Sequence, residues 1–444
     1  GDQALSQLAF EEAVRHYETA LTLVGDGVAR CELLLALGEA RARAGDQRAA
    51  KEAMAEAARL AERHGLPKHL GRAALGYGGR IIWEVSRDDA QLVPLLERAI
   101  EAQGDGDSPL RVRLLARLAG GPLRDASFPP ERKAKLSEEA LAMARRLDDS
   151  ATLAFALHGY ILGHHAPDHT PSQLEVATEL IDVAGRAGDK ERVFEGLEER
   201  LDALVELGDV EAAYGDLATM QQVARELRQP SQAWLVAAYE ALFALLAGRL
   251  DEAERLVEAA RDLGEGPQSW NAAVTYRLQL YVLRREQGRL AEIEDLVRAS
   301  VADYPTYRIW PCVLAHVLCE TGGEDEARAA LAALATDRFA SLPFDEEWLV
   351  SMGLLADTAS ALGEVEHAAV LYELLLPYAD RIAISYPEVS TGGVARNLGV
   401  LATSIGRRDD ARGHFAAAIA LHRRIGARTW LARTEGDAAR LLES

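Results

Sequence analysis

The chain has 444 residues, 49% of them hydrophobic but only 6% aromatic, and a formal net charge of −21. Such acidity argues against a nucleic-acid surface, because phosphate contacts need clustered Lys and Arg. An apolar fraction made mainly of Ala, Leu and Val, with few β-branched runs, favours closely packed helices, and no apolar stretch reaches the roughly 18 residues of a membrane span.

Three cysteines, Cys31, Cys312 and Cys319, form no CxxC pair and no secreted-type framework, which points to a reducing compartment, the cytoplasm. In chain order, residues 9–21 come first and fit the second helix of a helical pair. Ala13, Tyr17 and Ala20 sit there at small, large and small positions. Its partner is expected upstream, and the start at Gly1 rather than Met points the same way. The next unit places Leu34, Leu37, Gly38, Gly45-Asp46, Ala50, Met54 and Ala57 at the offsets of a regular helical pair. Looser units follow, with helices expected near 69–83 and 89–102, 109–119 and 131–147, and 149–163 and 172–187. Their connections are punctuated by Gly120-Gly121-Pro122, by Pro129-Pro130 and by the loop 164–171. That last loop is the expected hinge between two half-arrays, residues 1–163 and 172–444.

From Lys190 the pattern tightens. Anchors recur at Ala213, Ala253, Ile293, Ala327, Ala368 and Ala411, each five residues after Gly208, Gly248, Gly288, Gly322, Gly363 and Gly406. A glycine there supplies the left-handed turn that ends a first helix. Residues 234–305 hold two such units in succession, each an apolar helical run, a Gly-Arg-Leu turn and a second run. Ala253, Val257 and Ala260 follow the first turn, Ile293, Val297 and Ser300 the second, and Pro305 closes the stretch. This is the skeleton of a tetratricopeptide (TPR) repeat. The predicted fold is all-α: a TPR-like α-solenoid, a right-handed superhelix of about eleven antiparallel helix pairs, with a terminal capping helix from about Ala427 to Leu442.

In such arrays the first helices line the concave face. Their offsets put Glu198, Asp202, Arg285, His316, Asp357 and Arg396 in the groove as ligand- or partner-facing polar groups. Reversing charge at Arg285 or Arg396 is expected to weaken binding without unfolding the array. The tryptophans Trp234, Trp270, Trp310 and Trp348 recur near the start of first helices, and Trp430 near the start of the terminal helix; regular spacing marks packing wedges more than a ligand-binding aromatic groove. Cys312, His316 and Cys319 share one helical face, but three donors without an orienting partner are read as core rather than as a metal site. His164, His165 and His169 with Asp168 are read as a solvated loop, since Pro167 interrupts any helix. No metal site and no cofactor are expected.

Motifs for catalysis are missing. There is no G-x-x-x-x-G-K-[ST], no G-x-S-x-G and no H-E-x-x-H, so the chain is not read as an enzyme.

Several stretches carry a more particular likeness: residues 73–79, 113–119, 283–290 and 371–378, and the ending from His414-Phe415 to Thr434. Together they resemble the long C-terminal helical region of bacterial signal-transduction ATPases with numerous domains (STAND proteins), including MalT-like and LuxR-type regulators and proteins joining a nucleotide cyclase to an ATPase. The resemblance implies a non-catalytic sensor or scaffold, with an ATPase module upstream in the same chain. It would bind a small-molecule inducer or a protein partner on the concave face, without direct contact to nucleic acid or membrane. The other class of function open to it is a stand-alone TPR adaptor that assembles protein complexes.

Overall fold

The computed structural model describes residues 1–79, 89–121, 128–265 and 269–443, without the side chains of residues 6, 269, 270 and 443. Among these residues there are 23 α-helices and one two-stranded hairpin. Ten successive helix pairs run from Val28–Arg43 with Gln47–Arg63 to Val394–Ser404 with Arg408–Arg424. Phe10–Leu21 and the short Asp2–Ser6 precede them, and Arg428–Glu443 caps the far end. The looser units lie close to their expected places, as Pro67–Tyr77 with Leu92–Gln103, Pro109–Gly120 with Pro130–Leu147, and Ser150–Gly163 with Thr170–Ala187. Residues 80–83 and Pro122 fall outside the described set.

The pairs form for reasons visible in single residues. Small groups let facing helices touch: Gly38 lies against the Met54 side chain and Gly399 against the Phe415 ring. Asp46, Asp189 and Asp209 cap second or following helices by accepting the amides of Ala49, Arg192 and Ala212. From Lys190 onward the chain reverses within each helix pair through a glycine of positive φ. Gly248 is typical at φ 70, and the other five expected glycines share that conformation. Gly248 is doubly constrained, because a Cβ there would come within 2.9 Å of Thr429.

The helical architecture is the expected one, with a single short hairpin inserted among the described helices. Ile382–Ser385 pairs antiparallel with Val389–Gly393 across Tyr386-Pro387-Glu388, with a bulge between Ala383 and Ile384. Local chemistry favours strand over helix: Ile382 and Ile384 are β-branched, and Pro387 biases Tyr386 to extended backbone. The insertion also explains the long spacing between the Ala368 and Ala411 anchors.

The array from Lys190 onward curls until its ends meet. Gly208 abuts the Arg424 side chain, and Arg433 pairs with Glu286 at 3.2 Å. The hairpin fills the interior that the curl encloses, and every residue from 382 to 393 is buried. Ile382, Ile384 and Tyr386 join one apolar core with Phe194, Leu201, Trp234, Leu242, Leu421 and Trp430. That core links the start, the insertion and the end of this half of the molecule.

Candidate functional site

The six groove residues separate into two groups, both inside the filled superhelix. Glu198 and Asp202 lie on the Lys190–Glu206 helix, each 4% exposed. Asp202 accepts the Tyr239 hydroxyl at 2.7 Å, and its backbone carbonyl accepts the Tyr386 hydroxyl from the hairpin tip at 3.0 Å. Burial, with Glu198 beside it, holds the Asp202 carboxyl well above the usual range. The tip is further held by Gln279, which donates to the Pro387 carbonyl at 2.9 Å, and by Thr275, which donates to Glu388 at 3.3 Å.

Arg285, His316, Asp357 and Arg396 converge near the base of the hairpin. Asp357 accepts Arg285 Nη2 and Arg396 Nη1, each at 2.6 Å, and Arg396 Nε reaches Asp437 at 2.9 Å. Although burial opposes it, the two guanidiniums hold the Asp357 carboxyl below the usual carboxylate range. Trp430 lies among the guanidiniums of Arg285, Arg433 and Arg396, whose carbons are 5.1, 5.5 and 6.0 Å from its ring centroid. His316 Nδ1 meets the Tyr281 hydroxyl at 2.9 Å, and burial with Arg285 nearby pushes its pKa well down. Arg285 and Arg396, each 5% exposed, therefore belong to a buried ion network. The expectation that charge reversal there leaves the fold intact is corrected, because it would set Glu against Asp357 in a dry interior.

Other expected residues are also accounted for. Trp234, Trp310, Trp348 and Trp430 are buried wedges, and the Trp270 side chain lies outside the described residues. Cys312 is buried with its thiol pushed up to about 12, while Cys319 is half-buried and pushed up to about 11.

The histidine loop is solvated only in part: Asp168 and His169 are exposed, whereas His164 and His165 are largely covered. His165 has Nε2 3.2 Å from Glu199 and Nδ1 3.8 Å from Glu346. Burial opposes its protonation, but the Glu199 carboxylate lifts its pKa to about 9. His158 lies against the other Glu199 oxygen at 3.3 Å and against Glu195 at 3.1 Å. From the same loop, Thr170 donates to Glu206 at 2.6 Å, and Asp168 accepts the Tyr378 hydroxyl at 2.5 Å. Glu206 also accepts from Tyr386 at 3.3 Å. The loop 164–170 is thus bonded directly to Tyr378, ahead of the hairpin, and reaches the hairpin tip through the shared Glu206 carboxylate.

Beside this loop is an open cleft of about 910 Å³. One wall comes from residues 128–134 and 162–169 of the first half of the chain, the other from 305–308 and 341–347 of the second. Phe128, Leu162, Pro305, Pro343 and Phe344 give it an apolar lining, and Phe344 is 41% exposed. Sequence reading marked the histidines and Pro305 but missed the cleft. Its walls are four short segments that meet only after about 180 residues of superhelix, and no local spacing encodes that meeting.

The arrangement defines a class: a TPR-like α-solenoid whose second half closes on an internal hairpin, with a cleft at the junction. No family model matches the chain, and no curated protein sequence matches it. Among solved structures the chain is similar to yeast Tom70 at 15% identity, with 98% of this chain and 94% of that one covered and a TM-score of 0.38. It is similar to a Rap protein complexed with Competence and Sporulation Factor at 13% identity, covering 94% and 99%, with a TM-score of 0.42. Similarity to the Cut9-Hcn1 hetero-tetramer of the APC/C is 15% in identity, 100% and 84% in coverage, and 0.45 in TM-score. No described helix is long and apolar enough to cross a membrane.

Proposed function

We propose that the chain is a non-catalytic sensor or scaffold module, in the manner of the helical regions of STAND signalling ATPases, and that it takes its inducer or protein partner in the junction cleft. The observation that carries this reading is the cleft itself. Its walls come from both halves of the array, its volume lies in the range of pockets that bury a ligand, and the loop that lines it is linked to the hairpin tip through Glu206. Occupancy therefore bears on how the two halves sit together. The concave groove suits this role less well. A ligand reaching Asp202, Glu198, Arg285, His316, Asp357 or Arg396 has to displace the hairpin or break a buried ion network, and either costs several kcal/mol. In this reading those six residues hold the second half closed.

The resemblance supports an ATPase module upstream and a cytoplasmic setting. The adaptor reading differs by predicting protein partners alone. A thermal-shift screen of metabolites and peptides against the wild-type chain and Phe344→Ala tests the proposal. Hits that weaken in the variant are expected, since Phe344 is exposed and its replacement spares the core. Hits that persist unweakened in Phe344→Ala, or no hits at all, would remove the cleft from the proposal. Hits confined to protein segments would favour the adaptor.

A further inference from the structure

The cleft has a sign as well as a shape. Five carboxylates line it, Glu131, Asp168, Asp345, Glu346 and Glu347, against three cations, Lys133, Arg308 and His165 with its pKa lifted to about 9, and two further histidines, His164 and His169. Glu346 and Glu347 are sunk in the wall, with the Glu346 side chain 7% exposed and Glu347 4% exposed. Behind His165 stand four more buried carboxylates of the Lys190–Glu206 helix, those of Glu198, Glu199, Asp202 and Glu206. Asp202 and Glu206 add little to the negative charge, because burial pushes both up, Glu206 to about 7. The whole chain carries −21. Several of these acids already have protein partners, so the argument rests on the summed field. A concave, partly dehydrated surface with excess negative charge lowers the energy of a cation inside it and raises that of an anion. An aromatic ring adds to the same preference: Phe344, 41% exposed, packs at a steep angle against Trp348 with centroids 5.0 Å apart.

We infer that the junction cleft binds a small organic cation with an apolar body, its charged group among the carboxylates of the Asp345-Glu346-Glu347 wall and its apolar part against Phe344, Pro343 and Leu162. This rests on the cleft being the ligand site and adds the class of ligand. The closeness of Asp345 and Phe344 in sequence gives both halves of the recognition from one loop. The other wall, from residues 162–169, supplies the closing side.

Calorimetric titration with three matched probes tests it: phenethylammonium, the neutral 2-phenylethanol and the anionic 3-phenylpropionate. The cation is expected to bind about fivefold to tenfold tighter than the alcohol, a difference of the size expected for one partly desolvated charge. The anion is expected to bind weakest. In Asp345→Asn combined with Glu131→Gln the advantage of the cation should shrink toward unity, and it should also shrink as salt is raised. Phe344→Ala should weaken the cation and the alcohol alike. If the alcohol or the anion binds as well as the cation, and Phe344→Ala still weakens it, the cleft is a ligand site but the cationic class is wrong. If no probe binds, or if Phe344→Ala changes nothing, both the class and the site fall.

Discussion

Asp357 shows how a residue with the right position can have a different task from the one expected of it. It sits on the inward side of a first helix, as its repeat offset requires, but there it neutralises Arg285 and Arg396 together. Asp357→Asn should cost about 3–5 kcal/mol in denaturant unfolding, because it strands two guanidiniums in the interior. A loss below about 1 kcal/mol would show that water reaches the network. The histidine loop makes a second prediction, in pH. His165 is raised from 6.5 to about 9 in the folded chain, so its contribution is full below pH 6.5 and is lost as pH rises to 9. Glu206 is raised from 4.5 to about 7, so the folded state holds a proton that the unfolded state releases, and stability falls from pH 4.5 to 7. Glu199, held down to about 2, acts oppositely and only in acid, from pH 4.5 downward. The melting temperature should therefore peak in mild acid and decline toward pH 9, and His165→Gln should flatten the decline above pH 6.5. An unchanged slope in that variant would remove the Glu199–His165 pair from the account.

At the scale of elements, sequence and structure agree where spacing is local and part where it is not. The helix pairs were legible because their information repeats within about forty residues: a glycine, an anchor five positions later, a small residue opposite a large one. The inward direction of Glu198, Asp202, Arg285, His316, Asp357 and Arg396 was legible for the same reason. What fills the interior was not. Ile382, Ile384 and Val389 alternate as strands should, and Gly392-Gly393 ends the hairpin, but the signal covers barely a dozen residues within a helical background. Gly392 makes the dependence testable. It holds φ 79, and a Cβ there would lie 2.8 Å from Trp430. Gly392→Val should destabilise the hairpin and its surroundings by more than 2 kcal/mol, about the combined effect of a strained left-handed residue and an overpacked core. Tyr386→Phe, which removes the donor to Asp202 and Glu206, should cost about 1–3 kcal/mol. Denaturant midpoints of the two variants measure both.

The whole molecule departs from the additive behaviour of an open solenoid, in which each unit feels only its neighbours. Here Arg433 reaches Glu286, Tyr386 reaches Asp202, and Trp430 shares a core with Phe194 and Trp234. Trp430→Ala should therefore lower hydrogen-exchange protection in Lys190–Glu206 as well as in its own helix, while Val28–Arg43 and Gln47–Arg63 keep theirs. Loss confined to residues near 430 would indicate a chain that unravels from its end without cooperation around the closure.

Closure also fixes arithmetic that other repeat arrays leave free. An open superhelix tolerates the gain or loss of one pair, because the next pair meets an equivalent surface. Between residue 190 and residue 443 this chain has no such freedom. An added pair would rotate and displace everything after it, separating Arg433 from Glu286 and carrying the hairpin away from Asp202 and Gln279. The number of pairs in this half is set by its circumference, as staves are by the hoop of a cask, and it could change only together with the hairpin that fills the middle.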